Sequence, residues 1–158
     1  MKLTKAIFAA GCFWHVQFTF SEMKGVVKTM AGYCGGRVAN PTYEQVCSGK
    51  TGHAEAVQVE FDADVVSYSE LVEVFWEMHD PTQLNRQGPD VGSQYRSAIF
   101  YYTEEQKKMA VTSLAKLQKK LGASKKIVTE VVAAEGFYAA EEYHQDYFKK
   151  TGRKVCGI

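Results

Sequence analysis

A mostly apolar run, residues 5–10, stops at Gly11, and Cys12-Phe13-Trp14 follows directly. This junction constrains the fold more than any other stretch. An apolar run that ends at glycine and gives way to a mixed aromatic segment reads as a buried strand turning into a helix. Cys12 then falls in the first turn of that helix, where unpaired N–H groups and the backbone dipole favour an anion. Such a location lowers a thiol's pKa and makes it a better nucleophile near neutral pH. Phe13 and Trp14 supply an apolar wall beside the sulfur. A structural cysteine among core aromatics fits the same four residues, so the remaining chain has to separate the two readings.

Helical spacing of Val16, Phe20 and Met23 predicts a helix over residues 13–23, closed by Gly25, and residues 26–33 alternate like a strand. Gly32, Gly35, Gly36, Asn40 and Pro41 then mark a long irregular loop carrying Cys34, Tyr43 and Cys47. In the next strand Val57, Val59 and Phe61 face the core, and Glu55 has their parity. Glu55 therefore points inward at the strand's start, where partial desolvation raises a carboxyl pKa. A frayed strand end with Glu55 in water fits the alternation equally well.

Ser67-Tyr68-Ser69-Glu70 has the form of a capping box, and Leu71, Val74, Phe75 and Met78 stripe the helix behind it. Residues 79–93 form a second long polar loop with Pro81 and Pro89, the kind of segment that tends to be functional in a compact domain. A strand is predicted over 94–102, a helix after Thr103 striped by Ala110, Leu114, Leu117 and Leu121, a strand over 127–134 and a helix over 139–149. The order is β-α-β-(loop)-β-α-(loop)-β-α-β-α. Its first part follows the ferredoxin-like split β-α-β pattern, an α+β fold (an α/β sandwich) with extra helices and long irregular loops. Residues 1–158 read as a single catalytic domain, with 151–158 a C-terminal tail carrying Cys156, where mobility is expected.

A net charge of +1, from 19 basic and 18 acidic residues, leaves no electrostatic footprint for nucleic acid or an anionic membrane. Nine Tyr and nine Phe exceed what a core of this size needs, so some are expected to line a site. No stretch has the length of a membrane span, and Met1-Lys2-Leu3 leads into a strand rather than a signal peptide, so a cytoplasmic location is expected. Cys12, Cys34, Cys47 and Cys156 lie far apart without a C-x-x-C, which points to no metal site and no structural disulfide framework. Buried inert thiols or redox chemistry remain.

Four stretches together resemble one family: Gly11-Cys12-Phe13-Trp14, Gly32-Tyr33-Cys34-Gly35-Gly36, the run from Tyr43 through Ser48-Gly49-Lys50-Thr51-Gly52-His53-Ala54-Glu55, and Asn85-Arg86-Gln87-Gly88-Pro89-Asp90-Val91-Gly92-Ser93-Gln94-Tyr95-Arg96-Ser97. They are similar, in order and over nearly the whole chain, to the A-type peptide methionine sulfoxide reductases. The resemblance implies thiol-dependent reduction of methionine-S-sulfoxide, free or in proteins, with no cofactor. It implies Cys12 as the nucleophile that becomes a sulfenic acid and Glu55 as the proton donor to the sulfoxide oxygen. Tyr43 and Tyr95 match the tyrosines that hydrogen-bond that oxygen, and Asp90 the acid that holds the site's water and tunes Cys12. Phe13 and Trp14 match the wall that takes the S-methyl group. Cys156 is the candidate resolving cysteine, whose disulfide thioredoxin reduces. Cys47 is expected to be buried, and Cys34, in a loop bordering the site, stays open as a resolver.

His15 and Gln17 stand where the family generally has Gly and Glu, and an altered surface or pocket rim is expected from them. His53 is read as structural or as a local hydrogen-bond partner, and His15, His79 and His144 receive no chemistry. A cysteine hydrolase, a thiol peroxidase and a non-enzymatic α+β binding module are the competing readings. The first needs a histidine base that no motif places beside Cys12.

Overall fold

The computed structural model describes residues 1–152; Cys156 and most of the predicted tail lie outside them. The chain forms β1 (Leu3–Ala10), α1 (Phe13–Ser21), β2 (Val26–Cys34), α2 (Tyr43–Cys47), β3 (Ala54–Asp62), α3 (Tyr68–Glu77), β4 (Arg86–Gln87), β5 (Asp90–Val91), β6 (Ser97–Tyr101), α4 (Glu104–Leu121), β7 (Glu130–Ala133), β8 (Tyr138–Ala139) and α5 (Tyr147–Thr151). Short 3-10 turns sit at Ser93–Tyr95 and Glu142–His144.

The main sheet runs β7-β6-β1-β3-β2-β8. β3 lies between β1 and β2 and is antiparallel to both, so the β1-α1-β2 unit is split by a strand that arrives later in the chain. The α+β expectation holds. Strand alternation separates two apolar faces. Ala6, Phe8 and Ala10 of β1 and Val57, Val59 and Phe61 of β3 meet Phe13, Val16 and Phe20 of α1 and Leu71, Val72 and Phe75 of α3 in the larger cluster. Ile7, Ala9, Cys34, Ala54, Ala56, Ala98 and Phe100 form a smaller one on the opposite face. Phe8 is the hinge of the larger cluster, with ring centroids 5.0 Å from Phe20 and 5.4 Å from Phe75. Each such pair adds about 0.5–1.5 kcal/mol beyond area burial.

Three sequence expectations are corrected. Tyr43 and Cys47 are not in irregular loop but begin and end α2, which Thr42 and Gln45 close with a reciprocal capping box. Residues 94–95 are not strand, because Gly92 (φ 144°) turns the chain so that Tyr95 N–H donates to Gly92 O. The helix predicted over 139–149 is broken into β8, a 3-10 turn and α5. Asp146 adopts φ 53°, and the Gln145 amide takes the place of a strand, accepting from Ala31 N–H at 2.9 Å and donating to Ala31 O at 2.9 Å. Those long-range bonds outweigh local helix propensity.

Candidate active site

Gly11 hands β1 to α1 as the sequence indicates. Its φ of 92° suits glycine, and a Cβ there would lie 2.9 Å from Gln87 Cβ. The close approach sets β4, with the loop that leads into it, over the start of α1. Gln87 itself staples that loop, accepting from Asp80 N–H at 2.8 Å and donating to Asp80 O at 2.9 Å. Cys12 occupies the N-cap of α1, one position ahead of the predicted first turn, and is half-buried. Its side chain is disulfide-bonded, whereas Cys34 and Cys47 are free.

Glu55 faces the larger cluster, as its parity predicts, but is more than partly desolvated: only 1% of it is exposed. Tyr33 stands opposite it on β2, and Phe13 N–H, next in the chain to Cys12, donates to Glu55 Oε1 at 3.1 Å. Burial pushes the Glu55 carboxyl up to about 8 against the opposing pull of that hydrogen bond, and the negative charge of Asp90 adds to the rise. Glu55 Oε2 is buried and has no hydrogen-bond partner among the described residues. A neutral carboxyl held by one oxygen and unpartnered at the other is a proton donor awaiting an acceptor.

Phe13, Tyr43, Tyr95 and Asp90 lie around this carboxyl, and Trp14 packs on the segment near residue 145. The hydroxyls of Tyr43, at the head of α2, and Tyr95, in the 3-10 turn, interact, and both are held un-ionised by burial first and then by Glu55. Asp90 lies half-buried in β5, across from Gln87. Phe13 is buried and stacks at 6.4 Å on Tyr43. Trp14 stacks on Tyr147 at 3.7 Å and donates its Nε1–H to His144 Nδ1 at 3.0 Å.

Arg96 joins the loops that carry these groups, donating to Ser93 O beside the Tyr95 turn and to Gly52 O just before β3. His53 is a loop brace, accepting from Gly36 N–H at Nδ1 and meeting Val38 O at Nε2.

Several expectations at the periphery are corrected. Cys34 ends β2 rather than bordering the site from a loop; it packs on the opposite face, where burial raises its thiol to about 11. Cys47 is exposed, not buried, because the last residue of α2 faces outward beside Tyr43. Gln17 is neither surface nor rim. It is 1% exposed and ties α1 to the chain's end, donating to Gln145 Oε1 at 3.2 Å and accepting from Asp146 N–H at 3.0 Å.

Four residues that sequence reading left without a role also belong here: Tyr33, Glu141, His144 and Tyr147. Tyr33 stood in a quoted motif, but its contact is with Glu141, 108 positions on. The three-residue spacing of His144 and Tyr147, both on Trp14, was a signal hidden by reading residues 139–149 as one helix.

A half-buried cysteine at a helix start, with a neutral buried carboxyl bonded to the very next N–H, is the layout of a thiol enzyme that also moves a proton. Comparison with known proteins narrows that class. The family model of peptide methionine sulfoxide reductase matches residues 4–158, and the chain belongs to that family. It is 56% identical over 152 residues, 96% of this chain and 90% of the relative, to the peptide methionine sulfoxide reductase MsrA of Methanothermobacter thermautotrophicus. It superposes with a TM-score of 0.92 and 33% identity on reduced Mxr1 from Saccharomyces cerevisiae, covering 98% of this chain and 89% of that one. Mxr1 in complex with Trx2 is matched with a TM-score of 0.66 and 25% identity over 92% of this chain and 85% of that one.

Proposed function

We propose that this chain reduces methionine-S-sulfoxide, free or in proteins, to methionine, with residues 1–158 acting as one catalytic domain. The Glu55 carboxyl carries the reading. It is neutral near pH 7, unpartnered at Oε2, and anchored through Oε1 to the residue that follows the cysteine. A sulfoxide has an electrophilic sulfur and a basic oxygen, so its reduction needs a nucleophile and an acid in one place.

Cys12 attacks the sulfoxide sulfur while Glu55 Oε2 protonates the oxygen, and Tyr43 and Tyr95 steady that oxygen by hydrogen bonds. The oxygen passes to Cys12 as a sulfenic acid and the thioether methionine leaves. Phe13 and Trp14 receive the S-methyl group, where a bulkier substituent clashes, and this fixes the S epimer. Asp90 holds water in the site and tunes Cys12. Cys156 then attacks the sulfenic sulfur, releasing water and forming a disulfide that thioredoxin reduces. The Trx2 complex of Mxr1 supports thioredoxin as the reductant.

Among the described residues no helix is long and apolar enough to cross a membrane. We infer a cytoplasmic location. The test is an assay of the pure protein with dithiothreitol on a racemic methionine sulfoxide peptide. One diastereomer is consumed and Cys12→Ser consumes neither; consumption of both, or retention of activity by Cys12→Ser, contradicts the reading.

A further inference from the structure

We propose that Glu141 is a positioning residue that sets Tyr43 for the reductase step. Its carboxylate bridges β2 and α2, which the chain joins only through the irregular residues 35–42. Oε1 accepts from the Tyr33 hydroxyl at 2.8 Å, and Oε2 accepts from Tyr43 N–H at 2.9 Å. Tyr33 is fully buried in β2, directly across from Glu55 on β3. Tyr43 is the first residue of α2, a short helix whose capping box is closed locally by Thr42 and Gln45 and whose Val46 is buried in the core. Glu141 therefore fixes the start of α2 at a set distance from the strand pair that carries the proton donor.

The ring of Tyr43 is confined from the same segment. His144, three residues beyond Glu141, lies 4.4 Å from it between ring centroids. Gln145 locks the segment to β2 through Ala31 and to α1 through Gln17. The backbone of Tyr43 is thus held by Glu141, its ring by His144 and Phe13, and its hydroxyl meets Tyr95 and Cys47 within reach of the Glu55 charge. Removing the carboxylate frees the helix start while leaving the Tyr43 hydroxyl chemically intact.

This rests on the reading that the Tyr43 hydroxyl acts on the sulfoxide oxygen, and a double-mutant cycle separates the two claims. Initial rates of sulfoxide reduction with dithiothreitol are measured on the full chain for Glu141→Ala, Tyr43→Phe and the double variant. Each single change is expected to lower kcat about tenfold with KM little moved, since each weakens hydrogen bonding to the sulfoxide oxygen rather than substrate binding. The double variant is expected to be no slower than the slower single, because Glu141 acts through Tyr43. Glu141→Gln keeps both bonds, its amide oxygen accepting from Tyr43 N–H and its NH2 donating to the Tyr33 hydroxyl, and is expected to restore kcat to within about threefold.

Multiplying losses in the double variant overturn the inference while leaving the role of Tyr43 standing; wild-type rates for Tyr43→Phe overturn both. Should Glu141→Ala fail to fold, Tyr33→Phe replaces it in the same cycle, with the same expectation and the same contrary result.

Discussion

Glu55 keeps its proton to high pH because burial at the start of β3 disfavours its charged form. Its pKa rises from 4.5 to about 8 in the fold, so the native state holds a proton that the unfolded chain has released throughout that interval. The native state binds more protons there, and its contribution to stability falls as pH climbs from about 4.5 to about 8. Catalysis has the same sign, since only the protonated form donates. Glu55→Gln keeps the shape and the bond from Phe13 N–H, removes the proton donor and removes the buried charge. Sulfoxide reduction by this variant is expected to drop about 10²–10⁴-fold. Its melting temperature above pH 8 is expected to match or exceed that of the unchanged chain. A variant that reduces sulfoxide at the original rate would remove Glu55 from the chemistry.

At the level of elements, the site depends on how closely the backbone at Gly11 approaches the side chain of Gln87. Gly11 has a positive φ and sits against Gln87, so Gly11→Ala has to shift either the start of α1 or the loop carrying Asp90. Activity is expected to fall at least tenfold and stability by about 1–3 kcal/mol, comparing kcat with a urea unfolding midpoint. The alternation that puts Glu55 on the inner face and the glycine stop before Cys12 were legible in the sequence because each is a local rule with one dominant outcome.

The segments that escaped it answer to distant partners. Residues 139–149 read as helix by composition, yet Gln145 bonds to Ala31, 114 positions away. Gln17 looked like rim until the same amide reached it. The first turn of α2 was readable, since Thr42-Tyr43-Glu44-Gln45 is a capping box, but the glycines around it pointed to loop.

Across the whole molecule, one sheet serves two purposes. Its larger apolar face builds the core, and the end of that face, where β3 starts and α1 begins, carries the reactive groups. Phe8, in ring contact with Phe20, Tyr68 and Phe75, anchors the core away from the chemistry. Phe8→Ala is expected to cost about 3–5 kcal/mol in chemical unfolding, the usual toll of deleting a buried ring. Residues 140–148 close the other side, tying β2, α1 and α2 together through Gln145, Gln17 and Glu141. We assign the recycling half of the reaction to Cys156. Cys156→Ser is expected to complete one reduction per molecule and then stop with thioredoxin as reductant; steady thioredoxin-driven turnover would hand the resolving role to Cys34 or Cys47.

That single-turnover variant also offers the most direct test of a nucleophilic sulfur paired with an acid that keeps its proton at neutral pH. The rate of its one reduction, followed by rapid quench from pH 6 to 10, is expected to decline as pH passes about 8. The same rate is expected to be slow at every pH once Glu55→Gln is added. A rate that ignores both the pH and the loss of the carboxyl would contradict the account.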